Sequence, residues 1–290
     1  MARTSIEYLT HTWNPIVMKC SRVSEGCRNC WHLRMCDRMA KNSTIPVWKQ
    51  DIYAGSAEPQ IDEKALEQPI RIKKHAIIGV QFMGDLFHES VHNEMIKDVF
   101  HVIRIESKHT FLVLTKRPQR MFDLSLEIDY QLPNLWLGVS VEDQDTAIER
   151  IPILLETPAV HRWVSVEPMI GPVDLTRIDC SAWETTTIID ALKGRMDDSD
   201  EVGIQSAISK LDWVVCGGES GSGGRPIDYD FIASHDAVRS LREQCSDSGI
   251  PFFFKQWGDV NGGGRVLDGR TCDEVPWGDN SGSISEICLG

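Results

Sequence analysis

The chain has 290 residues, 41% of them hydrophobic and 25% charged, with a formal net charge of −13. That length suits one large domain or two small ones, and that charge argues against a protein that coats nucleic acid through phosphate contacts. It leaves room for a local basic patch, at "RIKK" (71–74) or "TKRPQR" (115–120).

No apolar run reaches the length of a membrane span. The opening "MARTSIEYLTHTW" has no apolar leader core. Nine cysteines are diluted through the chain, odd in number, with three of them clustered. Thiols kept reduced, or used as metal ligands, explain this better than a disulfide framework. The expectation is a cytoplasmic protein with no membrane partner.

In chain order, a first strand is expected before the cysteines. "AIIGVQF" (76–82) is a second strand, followed by a helix on which Val91, Met95, Val99 and Val102 recur at helical spacing. "TFLVLT" (110–115) is a third, followed by a short helix that Pro118 can start. "LWLGVSV" (135–141) precedes "EDQDTAIERIPILLE", which has acidic residues where a helix N-terminus favours them. "HRWVSVE" (161–167) comes next. "LDWVVCGG" (211–218) precedes a helix with a stop at Gly249. "PFFFKQWG" (251–258) is the last strand.

Apolar strands without alternation, separated by helices, indicate a parallel sheet covered on both faces. About seven such strands fit an α/β fold, a partial or complete (β/α) barrel. A doubly wound open sheet is the alternative. Residues 1–258 form the barrel unit, interrupted at about 174–210 by an insertion whose polar "RMDDSDE" reads as a loop with short helices possible on either side. Residues 259–290 read as an irregular Gly-rich extension.

Cys20, Cys27 and Cys30 lie at C-x6-C-x2-C spacing. A structural zinc site closes with four ligands and normally shows two C-x2-C pairs. Only one pair is present. Cys36 is the nearest fourth thiol. On a helix opened by Cys30 it falls about 240° round, pointing away. Three thiolates can instead hold three irons of a [4Fe–4S] cluster and leave the fourth iron open.

The stretch "TWNPIVMKCSRVSEGCRNCWHLRM" resembles the radical SAM superfamily. More closely, it is similar to a phage-associated branch marked by "TWNP" and a widened first cysteine gap. The resemblance continues through "FMGDLFHE", "LTKRPQRM", "LWLGVSVED", "WVSVEPMIGPVDL", "DWVVCGGESG" and "FFFKQWG". It departs from the common C-x3-C-x2-C spacing, so the loop over the cluster is longer.

The resemblance implies a radical SAM barrel with Cys20, Cys27 and Cys30 on a [4Fe–4S] cluster. S-adenosyl-L-methionine would chelate the open iron. One electron would cleave its sulfonium, and the 5′-deoxyadenosyl radical would take a hydrogen atom from substrate. An electron donor such as flavodoxin or ferredoxin is implied. The family setting points to an isomerase or other base-modifying enzyme acting on an amino-acid-substituted thymidine in phage DNA, with the host cytoplasm as its compartment. A free metabolite or peptide is the alternative substrate. A zinc-stabilised nucleic-acid-binding module without catalysis is the third reading.

The resemblance implies further site residues at strand ends. In the superfamily the position of Asp85, with Met83 and Gly84 contributing backbone, receives the methionyl amino group. Positions such as Ser140 and Glu142 meet the carboxylate and ribose hydroxyls, and Glu167, at the end of the next strand, is a further cofactor-binding candidate. Turn and helix capping explain Asp85, Ser140 and Glu142 equally well, and a solvated side chain explains Glu167. Lys116 and Arg117, with Arg120 beside them, could receive phosphates or form a solvated helix face. Glu219 sits in "GGESGSGG", which reads as an anion cradle or a flexible loop. Trp257 could stack on a base or plug the barrel. Lys255 ends the last strand. Cys216 stands near the mouth as a hydrogen-atom donor or as a buried inert thiol. His88 and His92 are catalytic candidates or incidental residues at a helix start.

Overall fold

A computed structural model describes residues 1–180, 187–198, 205–219, 227, 232–258 and 264–277. The chain opens with β1 (Ala2–Arg3), β2 (His11–Trp13) and β3 (Ile16–Val17). Three helices follow the cysteine loop: α1 (Trp31–Met39), α2 (Val47–Ala54) and, after β4 (Gln60–Ile61), α3 (Glu63–Leu66).

Alternation then sets in. β5 (Ile77–Val80) leads to α4 (Asn93–Ile105), β6 (Thr110–Thr115) to α5 (Pro118–Leu124), and β7 (Leu135–Val141) to α6 (Gln144–Glu156). β8 (His161–Val166) precedes an insertion carrying β9 (Ile178–Asp179), β10 (Thr187–Asp190), β11 (Arg195–Asp198) and β12 (Gln205–Ala207). β13 (Trp213–Gly217), α7 (Ile232–Ser248) and β14 (Phe252–Gln256) complete the series.

The main sheet runs β1-β2-β5-β6-β7-β8-β13-β14. From β2 onward every neighbouring pair is parallel. β1 is antiparallel to β2 and edges the sheet. Seven parallel strands in sequence order, flanked by helices, make a curled half-barrel. The partial barrel is therefore the form this sheet takes, since β2 and β14 are not paired with each other.

Alternation along each strand sorts side chains between two faces. On the outer face Ile78, Val113, Leu137, Val164, Val214 and Phe254 pack with helix residues such as Val99, Met121, Ile151 and Leu241. On the inner face Tyr8, Leu112, Trp136, Trp163, Trp213, Val215 and Phe253 form a separate cluster. Large rings fill the concave side. Trp163 stacks on Trp213 at 5.4 Å, and Trp213 meets Trp277 at 5.0 Å.

Local signals explain the element ends. Pro118 occupies the first turn of α5. Asp143 caps α6 by accepting from the Thr146 amide at 2.9 Å, and the Thr146 hydroxyl accepts from the Asp143 amide. Gly249 follows α7 at φ +66°, a conformation that favours glycine.

The insertion differs from the expected loop with short helices. β12-β11-β10-β9 form an antiparallel sheet, and "RMDD" of the polar run is itself a strand. Its pairing with β10 supplies partners to backbone groups that polarity alone would leave to water. The described part of the tail also has defined contacts. The Phe254 amide donates to the Cys272 carbonyl at 2.8 Å, and the Trp213 indole donates to the Glu274 carbonyl at 3.0 Å.

Gly138, in the middle of β7, has no room for a side chain on the inner face. A Cβ there would stand 2.4 Å from Nε1 of Trp163, whose ring donates to the Val113 carbonyl at 3.2 Å. Gly138→Ala should therefore destabilise the fold by about 1–3 kcal/mol, the usual cost of overpacking. A urea midpoint equal to the wild type's would show that the Trp163 ring moves at no cost.

Candidate active site

The site is built at the C-terminal ends of the parallel strands, where such folds place their chemistry. "TWNP" anchors the entry. The Trp13 indole is buried and donates to the Ala65 carbonyl at 2.8 Å. Asn14 Oδ1 accepts from the Met83 amide at 2.8 Å. The motif thus joins the end of β2 to the turn after β5. Met83 serves through its backbone.

The cysteine loop that follows is tied to four strand ends in turn. After β5, His88 Nε2 accepts from the Ser21 amide at 3.1 Å. After β6, Arg117 Nη2 donates to the Ser21 hydroxyl at 2.8 Å. At the end of β7, Glu142 accepts from the Gly26 amide at 2.8 Å and from the Ser24 hydroxyl. After β13, Glu219 Oε2 accepts from the Asn29 amide group at 3.0 Å.

Glu142 is 1% exposed and also accepts from the Lys116 ammonium, with Arg150 Nη1 at 3.5 Å. Burial pushes its carboxyl upward. Lys116, Ser24 and the Gly26 amide outweigh that and hold it below the ordinary 4.5.

Beneath the loop is a cavity of about 240 Å³. Ile6, Tyr8, Phe82 and Leu114 supply apolar walls. Cys30, Gly84, Lys116, Glu167, Glu219 and Lys255 are the expected site residues that line it, joined by Gly26, Asn29, Trp31, Pro168 and Gly218. Glu167 accepts from the Lys255 ammonium at 3.1 Å and from the Ser165 hydroxyl at 3.1 Å. Burial, then Glu167 and Glu7, push the Tyr8 hydroxyl well up, so it stays protonated.

Other expected residues are brought close but turned to bracing. Asp85 accepts from the Thr115 hydroxyl at 2.7 Å, the Phe87 amide at 3.0 Å, and the Lys116 amide and Arg117 guanidinium at 3.1 Å each. Four donors leave it knitting β5 to β6, rather than facing the cavity. Ser140 donates to the Glu167 carbonyl at 2.8 Å. Arg117 also pairs with Glu89, and Arg120 donates to the carbonyls of His88 and Val91 and to Asn93. The "TKRPQR" cations are therefore engaged within the protein. His92 precedes the first turn of α4 without a side-chain cap bond.

Two expectations fall on the wrong face. Cys216 is fully buried in the outer cluster, with its sulfur 3.7 Å from that of Met169, while its neighbour Val215 faces inward. Burial, then Glu167 and Cys245, raise its thiol well above the usual range. Trp257 is 5% exposed, packs edge-on to Phe254 at 4.8 Å and donates to the Val266 carbonyl at 2.9 Å. Its ring is a core plug, and base stacking has no open face there. Residues 220–224 of the Gly-rich run lie outside the described residues. "RIKK" lies at the opposite end of the sheet, before β5.

The three clustered thiols are half-buried, and Cys36 is fully buried. Cys36 lies on α1, 3.7 Å from the Met18 carbonyl and 3.4 Å from His32 Nε2. Among the described residues, no three Cys, His, Asp or Glu side chains gather around one point as a single ion requires. A cubane does not need that gathering, because each thiolate takes a different iron. Three thiols on one anchored loop, with cations of Lys116 and Arg117 alongside, fit the charge and donor type of such a cluster. Sequence reading missed Ser24, Gly26, Asn29, Trp31, Tyr8 and Phe82. Ser24, Gly26, Asn29 and Trp31 are close to cysteines in the chain, which is a usable signal. Phe82 opens "FMGDLFHE" next to Met83 and carries the same kind of signal, whereas Tyr8 carries none.

Fold and site together define an α/β half-barrel with a thiol-bearing loop fastened over its strand ends. The chain belongs to the family described as "Protein of unknown function (DUF5131)", whose model matches residues 3–276. No curated protein and no solved structure matches the chain. Among the described residues no helix is long and apolar enough to cross a membrane.

Glu142→Ala should loosen the loop, speeding tryptic cleavage after Arg22 and Arg28 and costing about 1.5–3 kcal/mol, as for the removal of a charge-assisted hydrogen bond. Unchanged cleavage would show that the other anchors suffice. Because the folded carboxyl titrates below its unfolded value of 4.5, its contribution is fully present above that pH and is lost as pH falls through the folded value. The stability gap between wild type and Glu142→Gln should be flat above pH 4.5 and narrow below it.

Proposed function

We propose that the chain is a radical SAM enzyme, with Cys20, Cys27 and Cys30 holding a [4Fe–4S] cluster and S-adenosyl-L-methionine binding beside it. The observation that carries this reading is the fastening of the cysteine loop over the strand ends, with Cys30 on the wall of a cavity that also presents Lys116, Glu167 and Lys255. When bound, the cluster and S-adenosyl-L-methionine supply one-electron cleavage of the sulfonium and hence hydrogen-atom abstraction. A reduced donor of the flavodoxin or ferredoxin type would provide the electron.

The chain's own residues perform the rest. Ser24, Gly26 and Glu142 hold the loop in register. Tyr8, Phe82 and Leu114 exclude water from the reacting space. Glu167 and Lys255 form an ion pair at 3.1 Å on the cavity wall, one carboxylate and one ammonium that a charged substrate would engage by exchanging partners. That pair complements the charged ends of an amino-acid group. Such a group could be carried by a thymine in phage DNA or belong to a free metabolite or peptide. Engagement of Lys116 and Arg117 within the protein, and burial of Trp257, weigh against the phosphate and base contacts expected at this mouth. They favour the free metabolite or peptide.

Anaerobic purification tests the class. A brown protein with about four irons per chain, which loses iron and S-adenosyl-L-methionine cleavage in Cys20→Ala, Cys27→Ala and Cys30→Ala but keeps both in Cys36→Ala, is expected. Colourless protein with a single tight zinc would replace this reading with a zinc-stabilised binding module. Lys255→Met should keep iron and substrate-independent cleavage while losing product. Feeding glycine-modified thymidine DNA, peptides and free amino acids, followed by mass spectrometry, separates the substrates.

A further inference from the structure

The opposite end of the sheet carries a second concave site. It lies where β1 ends, where β2 begins and where the "RIKK" segment enters β5, and it is an open concavity of about 520 Å³. That volume falls within the range of about 300–1,000 Å³ typical of ligand pockets. Arg3, Lys73, Lys74, His11, His75 and Thr10 line it. Every charged side chain on this wall is cationic, and no carboxylate is among the lining residues.

In a chain with 43 acidic and 30 basic residues, such a grouping runs against the balance of the whole. Nearby cations are matched: Arg71, just outside the pocket, pairs with Glu67 at 2.9 Å, and Lys108 pairs with Glu106 at 2.6 Å. Among the described residues Arg3, Lys73 and Lys74 have no ion-pair partner, and all three are exposed.

Thr10, His11 and His75, which line the pocket beside these cations, are held in place. Thr10 fastens the start of β2 to β5, its hydroxyl donating to the Ile77 carbonyl and accepting from the Ile77 amide, both at 2.9 Å. His11 Nδ1 meets that hydroxyl at 2.9 Å. His75 Nε2 meets the Thr110 hydroxyl at 3.2 Å. Burial, then Arg3 and the N-terminal amine, lower the His11 pKa, as expected where positive charges crowd.

We infer that this pocket binds phosphate esters, with Arg3, Lys73 and Lys74 on the phosphate oxygens. A compact tetrahedral phosphate anion, a monoester or a diester, is small enough to enter the concavity and meet these cations together. Guanidinium and ammonium groups give it several charge-assisted hydrogen bonds. The same chemistry is offered by a free nucleotide and by the backbone of a single strand. The inference stands apart from the proposed radical chemistry, since the pocket lies at the other end of the strands and needs neither cluster nor S-adenosyl-L-methionine.

The test uses the full chain, with fluorescein-labelled dT12 followed by anisotropy and ATP followed by calorimetry, each across a salt series. The variant is Arg3→Gln/Lys73→Gln/Lys74→Gln. The control is Lys41→Gln/Lys64→Gln/Lys193→Gln, which removes the same charge from exposed positions elsewhere. Circular dichroism and thermal melting confirm that both fold.

The expected result is binding by wild type and control, weakened at least tenfold in the pocket variant. On dT12 the slope of log affinity against log salt should fall by about 2, at ~0.7 for each phosphate of a single strand that is no longer neutralised. Tight dT12 binding that ATP does not displace assigns the strand. ATP binding that displaces dT12 assigns the nucleotide. Equal weakening in pocket variant and control, or binding of poly-L-glutamate with neither phosphate probe bound, would overturn the assignment.

Discussion

The contact on which the rest of the site depends is that between Glu142 and the cysteine loop. One buried carboxylate takes the Gly26 amide, the Ser24 hydroxyl and the Lys116 ammonium together. A long loop between the first two cysteines has little structure of its own, so its shape must come from outside. Glu142 supplies that from the end of β7, while Ser21 and Asn29 are held by neighbouring strand ends. Each contact is modest in net terms, but a buried acceptor left without donors is costly. The loop and the barrel rim are therefore ordered as one unit.

Face alternation then decides which residues share the cavity. Lys255 and Glu167 stand on the inner side and pair across it. Cys216, next to inward-facing Val215, points into the helix layer. Trp257 lies past a register irregularity opposite Cys216 and Gly217, and it joins the outer core. The concave side is filled by indoles rather than left open, and Gly138 makes room for one of them. What remains empty is the small volume under the loop, where the polar groups converge.

Charge is distributed with equal definition. At the cavity end the cations are spoken for: Lys116 by Glu142, Arg117 by Asp85 and Glu89, Lys255 by Glu167. Burial and the Arg117 hydrogen bond pull in opposite senses on the Glu89 carboxyl, and the bond prevails, holding it at about 2. At the strand starts Arg3, Lys73 and Lys74 gather without such partners among the described residues. A net charge of −13 conceals this polarity between the two ends.

Sequence periodicity alone determined the parallel strands, the helices that follow them and several caps, because apolar runs, Pro118 and Gly249 act within a few residues of themselves. β6 and β7 have the bounds the pattern predicts. The cysteine spacing determined a thiol-bearing loop at the first strand end. Tertiary structure decided what depends on distant partners. It drew Asp85 and Arg117 into bracing contacts, because donors from β6 and the turn beyond it converge on the turn after β5. It turned the polar insertion into strands, because pairing with β10 satisfies its backbone. It put Tyr8 on the cavity wall, since only closure of the chain over the sheet brings it there. Polarity and spacing report a residue's own preference; which face it occupies and which charge answers it are set by chain segments up to 190 positions away.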